Sequence, residues 1–225
     1  VERTPVLDIA SQVILFLGLV LSLLPFGIIV IAATHDLRAV NEVPMPLTPG
    51  PYFWANIVEA WTRADLGPKI VNSLVFAGGV ALGKVFIAAL SAFSIVYFRY
   101  WGKMTVFWLI FITLMLPVEV RILPTYKVVV QLHLIDTFGG LILPLIASAT
   151  ATLLFRQFFM TIPAELVEAA RGDGAGPWRF FFDILLPLSK TNIAALFVIL
   201  FIYGWTQYLW PLLITNSNDM NTIII

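Results

Sequence analysis

The stretch Pro163-Ala-Glu-Leu-Val-Glu-Ala-Ala-Arg-Gly-Asp-Gly174 is polar, although long apolar runs stand on both sides of it. Pro163 suits the first turn of a helix, where its missing N–H is not needed. Glu165 complements the positive end of the helix dipole, and Gly172 and Gly174 can each supply the left-handed residue that ends a helix. The stretch therefore predicts a helix of about two to three turns over about 163–174, too short to cross a bilayer.

Composition places the chain in a membrane, because 60% of its residues are hydrophobic and only 12% are charged. Soluble domains carry about 25% charged residues, so lipid must cover part of this apolar surface. The formal net charge is zero, which argues against nucleic acid as a partner. Cysteine is absent, which excludes disulfides and thiolate metal sites. His35 and His133 are too far apart in sequence for a helical metal pair.

Five apolar segments are long enough to cross a bilayer, which takes about 20 residues. We expect Pro25 to kink the first segment and Pro117 to interrupt the third. Residues 34–69, between the first two segments, are rich in proline and aromatic residues, as is typical of a cap at the membrane interface. No internal repeat is visible, so we expect one domain over 1–225 that continues beyond Ile225. The predicted spans are 9–33, 70–97, 104–123, 141–159 and 193–214.

The order of elements gives a weak indication of orientation. Arg99 and Lys103 lie in a very short loop on the same side of the predicted bundle as 163–174. Short loops rich in basic residues favour the cytoplasmic side. With five crossings, the N-terminus is then expected on the cytoplasmic side as well.

A longer pattern extends the polar stretch. Glu168-Ala169-Ala170 is followed by three residues, Gly174, nine residues, and then Ile184, Leu186 and Pro187. This spacing resembles the EAA loop in the permease subunits of ATP-binding-cassette (ABC) importers. Asn72-Ser73 and the segments 116–121, 155–163 and 203–213 are similar to the carbohydrate-uptake branch of these permeases, in particular to those for sn-glycerol-3-phosphate.

The resemblance implies an all-α, polytopic transmembrane helix bundle with the type I ABC importer permease fold, whose sixth span would lie beyond Ile225. It implies a multi-pass protein of the bacterial plasma (inner) membrane. The implied partners are a second homologous permease, two ATP-binding subunits and a periplasmic or lipid-anchored substrate-binding protein. This chain would be no enzyme and bind no cofactor, because ATP and Mg would be held by the partner subunits.

The resemblance also makes the 163–174 helix a coupling helix that sits in a cleft of an ATP-binding subunit. In this role the alanines permit close approach, Glu168 offers a charge, Gly174 allows a tight turn and Pro187 ends the return segment. The alternative is an amphipathic helix on the bilayer surface, whose acidic polar face fits anionic lipid poorly. The predicted coupling residues are Glu165, Glu168, Ala169, Ala170, Asp173, Gly174 and Pro187.

Gly78-x4-Gly83-Lys84-Val85 nearly matches a phosphate-binding loop, but Val85 replaces the hydroxyl that would bind magnesium, and no strand precedes it. We therefore expect no ATP site in this chain. Gly79 and Gly83 instead predict a face of small residues for close helix packing, which Ala88, Ser91 and Ala92 extend.

Lys84 falls near the middle of its predicted span, where a charge costs about 2.5–3.5 kcal/mol on insertion scales. A water-lined cavity, a counter-charge or an anionic substrate would explain it, as would a structural partner on another helix. Glu119 and Arg121 follow Pro117 and could line the same path or form a solvated interfacial pair. Three further candidates for the path, which could also be interfacial anchors or packing residues, are Trp205, Gln207 and Tyr208.

The leading hypothesis is ATP-driven import of sn-glycerol-3-phosphate or a related small polyol or sugar. A permease for a neutral sugar is the main alternative. A membrane-embedded enzyme for lipid-linked phosphates would need a cluster of carboxylates or histidines, and Asp173 and Asp183 show no ligand-like spacing. A secondary transporter would show inverted repeats or paired broken helices, and the sequence shows neither.

Overall fold

The computed structural model describes residues 5–116 and 118–225, and no strand occurs among them. The predicted all-α fold class is therefore confirmed for the described residues. The chain divides into two compact units, Val1–Leu66 and Gly67–Ile225.

The first unit is dominated by one long apolar helix, α1, which runs from Pro5 to Ala32 and continues through Pro25 without a break. Its surface is exposed along the span Leu7–Ala32, whose mean hydropathy is 2.9. A helix that is apolar all round and of this length fits a membrane span. Two shorter helices follow, α2 at Leu37–Val40 and α3 at Phe53–Arg63.

The second unit is built around α4, a helix of 32 residues at Leu66–Tyr97. The third predicted span is not one helix. It consists of α5 at Lys103–Ile112, a 3-10 turn at Thr113–Met115 and a separate helix α6 at Val118–Gln131. Pro117, expected to interrupt this span, lies outside the described residues.

The fourth and fifth predicted spans are also broken. Ser148 caps the second half of the fourth by accepting a hydrogen bond from the N–H of Ala151. The two helices of the fourth span, Phe138–Leu145 and Ala149–Phe159, are bent by 50° relative to each other. The helices Pro177–Leu188 and Lys190–Trp205, at the start of the fifth span, are bent by 76°. The helices involved are α7 at Phe138–Ile142, α8 at Ala149–Phe159, α9 at Ala164–Gly172, a continuous helical segment at Pro177–Leu188, α10 at Lys190–Trp205 and α11 at Leu209–Ile214.

Only α1 and α4 are each long and apolar enough to cross a membrane, and the described residues contain up to four spans if each bent pair counts as one. The predicted count of five spans is thus not confirmed. Hydropathy measures how apolar a segment is, whereas proline, glycine and capping residues decide whether its helix is continuous.

Two buried clusters lie along α4. One joins its C-terminal half to α8 and to the segment Pro177–Leu188, through alanines of α4 and a group of phenylalanines. The other joins its N-terminal half to α6, α7 and α11, through Phe76, Val80, Leu141 and Trp210. Trp210 Nε1 donates a hydrogen bond of 3.1 Å to the carbonyl of Leu141. The helix α4 is therefore the element that connects the two ends of this unit.

The small residues of α4 serve helix packing, as predicted. A Cβ atom added at Gly79 would lie 2.6 Å from the side chain of Ile142, and one at Gly83 would overlap Ile146. By contrast, no described atom lies within 4 Å of the same position at Gly78. Gly79 and Gly83 are thus explained by contacts with the bent α7–α8 segment, whereas Gly78 makes no such contact.

This contrast gives a matched pair of substitutions. Gly83→Ala is expected to destabilise the permease by about 1–3 kcal/mol, because overpacking displaces Ile146. Gly78→Ala is expected to leave stability equal or higher, because alanine favours a helix by about 1 kcal/mol over glycine. Thermal unfolding of the purified protein measures both. Equal melting temperatures for the two variants would contradict close packing at Gly83.

Candidate coupling surface and substrate path

The predicted short helix is present as α9, nine residues from Ala164 to Gly172. Pro163 precedes it in extended conformation instead of forming its first turn, and Glu165 lies in that first turn. Gly174 has φ of +72°, and its N–H donates to the carbonyl of Arg171 at 3.0 Å. Gly172 has no positive φ and lies in the helix. Gly174 alone is therefore the left-handed residue after this helix.

The helix α9 has an inner and an outer face. Ala170 is only 5% exposed and packs, with Val167, against the chain's own core. The expected role of Ala170 in approaching a partner is thus corrected, because the two residues share the inner face at i and i+3. Ala169 remains exposed. Five exposed residues of this segment form what we call the coupling surface, namely Glu165, Leu166, Glu168, Ala169 and Asp173, and Arg171 beside them is also exposed.

The return segment Pro177–Leu188 contains a π-helical turn at Phe180–Leu185. Pro187 lies in its last turn, and buried Ser189 separates it from α10 at the 76° bend. The hydroxyl of Ser189 donates to the carbonyl of Leu185 at 2.5 Å. A proline and a serine whose hydroxyl bonds to the preceding turn therefore mark the bend between the return segment and α10.

Aromatic rings join this segment to α4 and α8. The ring centroids of Phe93 and Phe181 are 4.9 Å apart, and those of Tyr97 and Phe180 are 5.2 Å apart. The hydroxyl of Tyr97 donates to the carbonyl of Phe159 at 3.1 Å. We call these five residues the aromatic cluster. Close-packed interiors of this kind transmit strain, and α9 joins the same buried core through Ala170 and Val167.

Lys84 is buried within α4, with 6% of its surface exposed. Its Nζ lies 3.9 Å from the ring centroid of Tyr203 in α10. The described residues offer it no ion pair or hydrogen bond. The side chain of Glu119 lies outside the described residues. Of the four predicted explanations, a structural partner is present, as an aromatic ring.

The remaining path candidates lie near the end of α10. Trp205 is half-buried and stacks on Phe201 with ring centroids 5.9 Å apart. Gln207 is half-buried in the break between α10 and α11, and Tyr208 is exposed. No hydrogen bond or ion pair of the described side chains joins these three residues to Lys84. Tyr203, which does contact Lys84, was not singled out in the sequence, because a contact across 119 residues leaves no local pattern.

A second cation, Arg156 of α8, is paired with an aromatic ring in the same way. Its guanidinium carbon lies 4.4 Å from the ring centroid of Phe107 in α5. The Nε atom is buried and has no hydrogen-bond partner among the described residues. Neither the burial of Arg156 nor its ring partner is visible in the local sequence pattern.

Asp136 joins the turn after α6 to the segment after α11. Its carboxylate accepts hydrogen bonds from the backbone N–H groups of Ser217 at 3.0 Å and Asn216 at 2.5 Å. These bonds, first that of Ser217 and then that of Asn216, lower the pKa of Asp136 from its ordinary value. Asp136 is therefore charged over the neutral range and holds the two segments together. It was missed because an aspartate in a turn is unremarkable in sequence.

Groups of three or more histidine, cysteine, aspartate or glutamate side chains that could hold a metal ion do not occur in the described part of the chain. The arrangement instead offers an exposed acidic helix that is packed onto two apolar helices, and a buried cation in a membrane span. Such an arrangement could receive a partner on the acidic helix and could attract an anion to the buried cation.

Comparison with known proteins shows the class of protein to which this chain belongs. A family model described as "binding-protein-dependent transport system inner membrane component" matches residues 84–225. The chain also superposes on a solved protein described as a bacterial ABC transporter involved in the import of the acidic polysaccharide alginate. The TM-score is 0.85 at 19% identity, over 98% of this chain and 78% of that one. This second likeness shows the fold, and it confirms the predicted ABC importer permease fold.

Two named relatives match the chain over its whole length. The chain is 56% identical, over its whole length and 82% of the relative, to the sn-glycerol-3-phosphate transport system permease protein UgpE of Rhizobium meliloti. It is 57% identical, with the same coverage, to the protein of that name from Agrobacterium fabrum. The chain belongs to the family of inner-membrane components of binding-protein-dependent transport systems, and it is a membrane-embedded transport permease.

Proposed function

We propose that this chain is a permease subunit of an ATP-driven importer for sn-glycerol-3-phosphate. The observation that carries the proposal is the 56–57% identity, over the full chain, to permeases named for this substrate. The importer would contain a second homologous permease, two ATP-binding subunits that hold ATP and Mg, and a periplasmic or lipid-anchored substrate-binding protein. The N-terminus and the coupling surface would face the cytoplasm.

The coupling surface would dock in a cleft of an ATP-binding subunit. Glu165, Glu168 and Asp173 are exposed and outnumber the neighbouring cation Arg171, so the surface has a net negative charge, and exposed Leu166 and Ala169 give it an apolar contact. When the ATP-binding subunits close, they would displace α9. Because α9 is packed on the aromatic cluster, the displacement would reach α4 and α8 and turn the bundle toward its outward-facing state.

On the substrate side, Lys84 would contact the phosphate during passage. A buried lysine with an aromatic partner is held less strongly than one with a carboxylate partner. A cation–π contact contributes about 2 kcal/mol when desolvated, whereas the charge costs about 2.5–3.5 kcal/mol at mid-membrane on insertion scales. A phosphate would offset the rest. Arg121 of α6 would add a second positive charge for the same anion.

The test is ATP hydrolysis by the assembled importer in lipid, with its binding protein and a panel of substrates. We expect sn-glycerol-3-phosphate to stimulate hydrolysis and neutral disaccharides to have no effect. Stimulation by a neutral sugar alone would transfer the assignment to the neutral-sugar alternative. Uptake that needs an ion gradient and no ATP would contradict the importer itself.

A further inference from the structure

The helix α3, at Phe53–Arg63, has an apolar face without cover in its own unit. None of its residues is buried. Trp54 is 75% exposed, Val58 59% and Trp61 57%, and Phe53 and Ile57 complete the stripe at helical spacing. The opposite side of the helix carries Asn56, Glu59, Thr62 and Arg63. Large apolar side chains this exposed require a partner.

Hydrogen bonds fix the start of α3 to the end of α1. Asn56 Nδ2 donates to the carbonyls of Ala33 at 2.9 Å and His35 at 2.8 Å. The N–H of Tyr52 donates to the carbonyl of Thr34 at 2.9 Å. These carbonyls lie just beyond the end of α1, where its ladder of hydrogen bonds has ended, and α3 and the residue before it supply their donors.

The loop between α2 and α3 also lies close to the end of α1. The N–H of Gly50 donates to the hydroxyl of Thr34 at 2.7 Å, and His35 Nε2 is hydrogen-bonded to the carbonyl of Thr48 at 2.7 Å. A Cβ atom at Gly50 would lie 2.5 Å from the carbonyl oxygen of Thr34. The end of α1, the loop and the start of α3 therefore form one hydrogen-bonded joint.

The position of this joint, just after the end of α1, indicates how deep it lies in the membrane. The apolar span of α1 ends at Ala32, and backbone groups beyond a span can leave the helix only where water or protein satisfies them. The joint therefore lies at the boundary between hydrocarbon and water. A helix that starts there with an apolar stripe meets lipid on that side.

We propose that α3 is an interfacial helix that lies along the membrane surface, with its Phe53–Trp61 stripe in the lipid and its polar side in water. The stripe lies at the boundary between headgroups and acyl chains. Tryptophan and tyrosine are enriched there, and amphipathic helices insert by about 5–10 Å. Glu59 and Arg63 form a 2.7 Å ion pair on the polar side, so this side is neutral and selects no lipid charge.

This arrangement anchors α1. Because the joint ties α3 to the end of α1, insertion of the stripe holds that end at a fixed height in the bilayer. The anchor rests on contacts within the first unit and is independent of the transported substrate.

The absence of cysteine allows the depth of single positions to be measured. Val58→Cys places a nitroxide label on the apolar stripe of α3 and Glu59→Cys places one on its polar side, in the importer extracted in lipid nanodiscs. The label at 58 is expected to collide more with oxygen than with an aqueous nickel chelate, and the label at 59 to show the reverse. The wild-type complex, whose permease carries no label, gives the background.

A second pair tests the orientation. Trp54→Cys and Trp61→Cys lie on the same side of α3, seven residues and about 10 Å apart along its axis. Equal label depths support a helix parallel to the surface, and a difference of about 10 Å overturns it. Equal access of the nickel chelate to positions 58 and 59 also overturns the proposal. Exclusion of both colliders from position 58, or its immobilisation by the binding protein, would assign the stripe to a protein partner and overturn it too.

Discussion

Gly174→Val is expected to reduce substrate-stimulated ATP hydrolysis and uptake about tenfold or more. Gly174 has φ of +72°, a conformation that costs a residue with a side chain about 1–2 kcal/mol and a β-branched residue more. A loss of 1.4 kcal/mol corresponds to about tenfold in an equilibrium constant. The chain would leave α9 in another direction, and the coupling surface would no longer match its cleft.

Gly172→Ala is the matched control, since this glycine has no positive φ and no described atom within 4 Å of an added Cβ. It is expected to retain activity, because alanine favours the helix. Both variants should be inserted in the membrane to the same extent. Full transport by Gly174→Val would contradict a coupling role for this turn.

Glu168→Lys tests the coupling surface without a change of backbone. Glu168 is exposed and has no ion pair among the described residues, so the substitution should leave the melting temperature of the permease unchanged. We expect fewer ATP-binding subunits to co-purify with it, because the charge at the proposed contact is reversed. Unchanged co-purification and transport would place the docking surface elsewhere on the chain.

The short helix α9 could be predicted from sequence because its signals are local. A proline, an early glutamate and a glycine at Gly174 mark its two ends, and a helix between such marks needs no long-range information. The burial of Ala170 on the inner face of α9, by contrast, could not be predicted from local signals. It depends on where the phenylalanines of α4 and of the return segment lie, and the sequence does not contain those positions in local form.

The spans were predicted less well for a related reason. The apolar composition of 141–159 is continuous, but Ser148 caps a new helix there and the segment bends by 50°. Lys84 was correctly marked as a costly charge, yet its ring partner Tyr203 lies in another helix. The 34–69 cap was predicted from its prolines and aromatic residues, whereas the joint that orders it depends on hydrogen bonds of Asn56.

Lys84→Met is expected to raise the KM for sn-glycerol-3-phosphate about tenfold or more, and to leave the permease equally stable or more stable. Hydrogen bonds to charged groups contribute about 1.5–3 kcal/mol, which corresponds to at least about tenfold in affinity. Stability should not fall, because methionine removes a mid-span charge whose cost exceeds what one aromatic ring returns. A merely structural lysine predicts the opposite, namely a lower melting temperature with an unchanged KM.

Three further variants separate these explanations. Lys84→Arg keeps the charge and should recover part of the affinity, whereas Tyr203→Leu removes the ring and should change KM less than Lys84→Met does. Arg156→Met removes the other cation that stacks on a ring, Phe107, and should leave the KM unchanged because we assign it no contact with substrate. Substrate-dependent ATP hydrolysis and thermal unfolding of the same preparations measure both quantities. If wild-type importer responds to the substrate and Lys84→Met responds with the same KM, the lysine has no part in recognition, although the importer assignment stands.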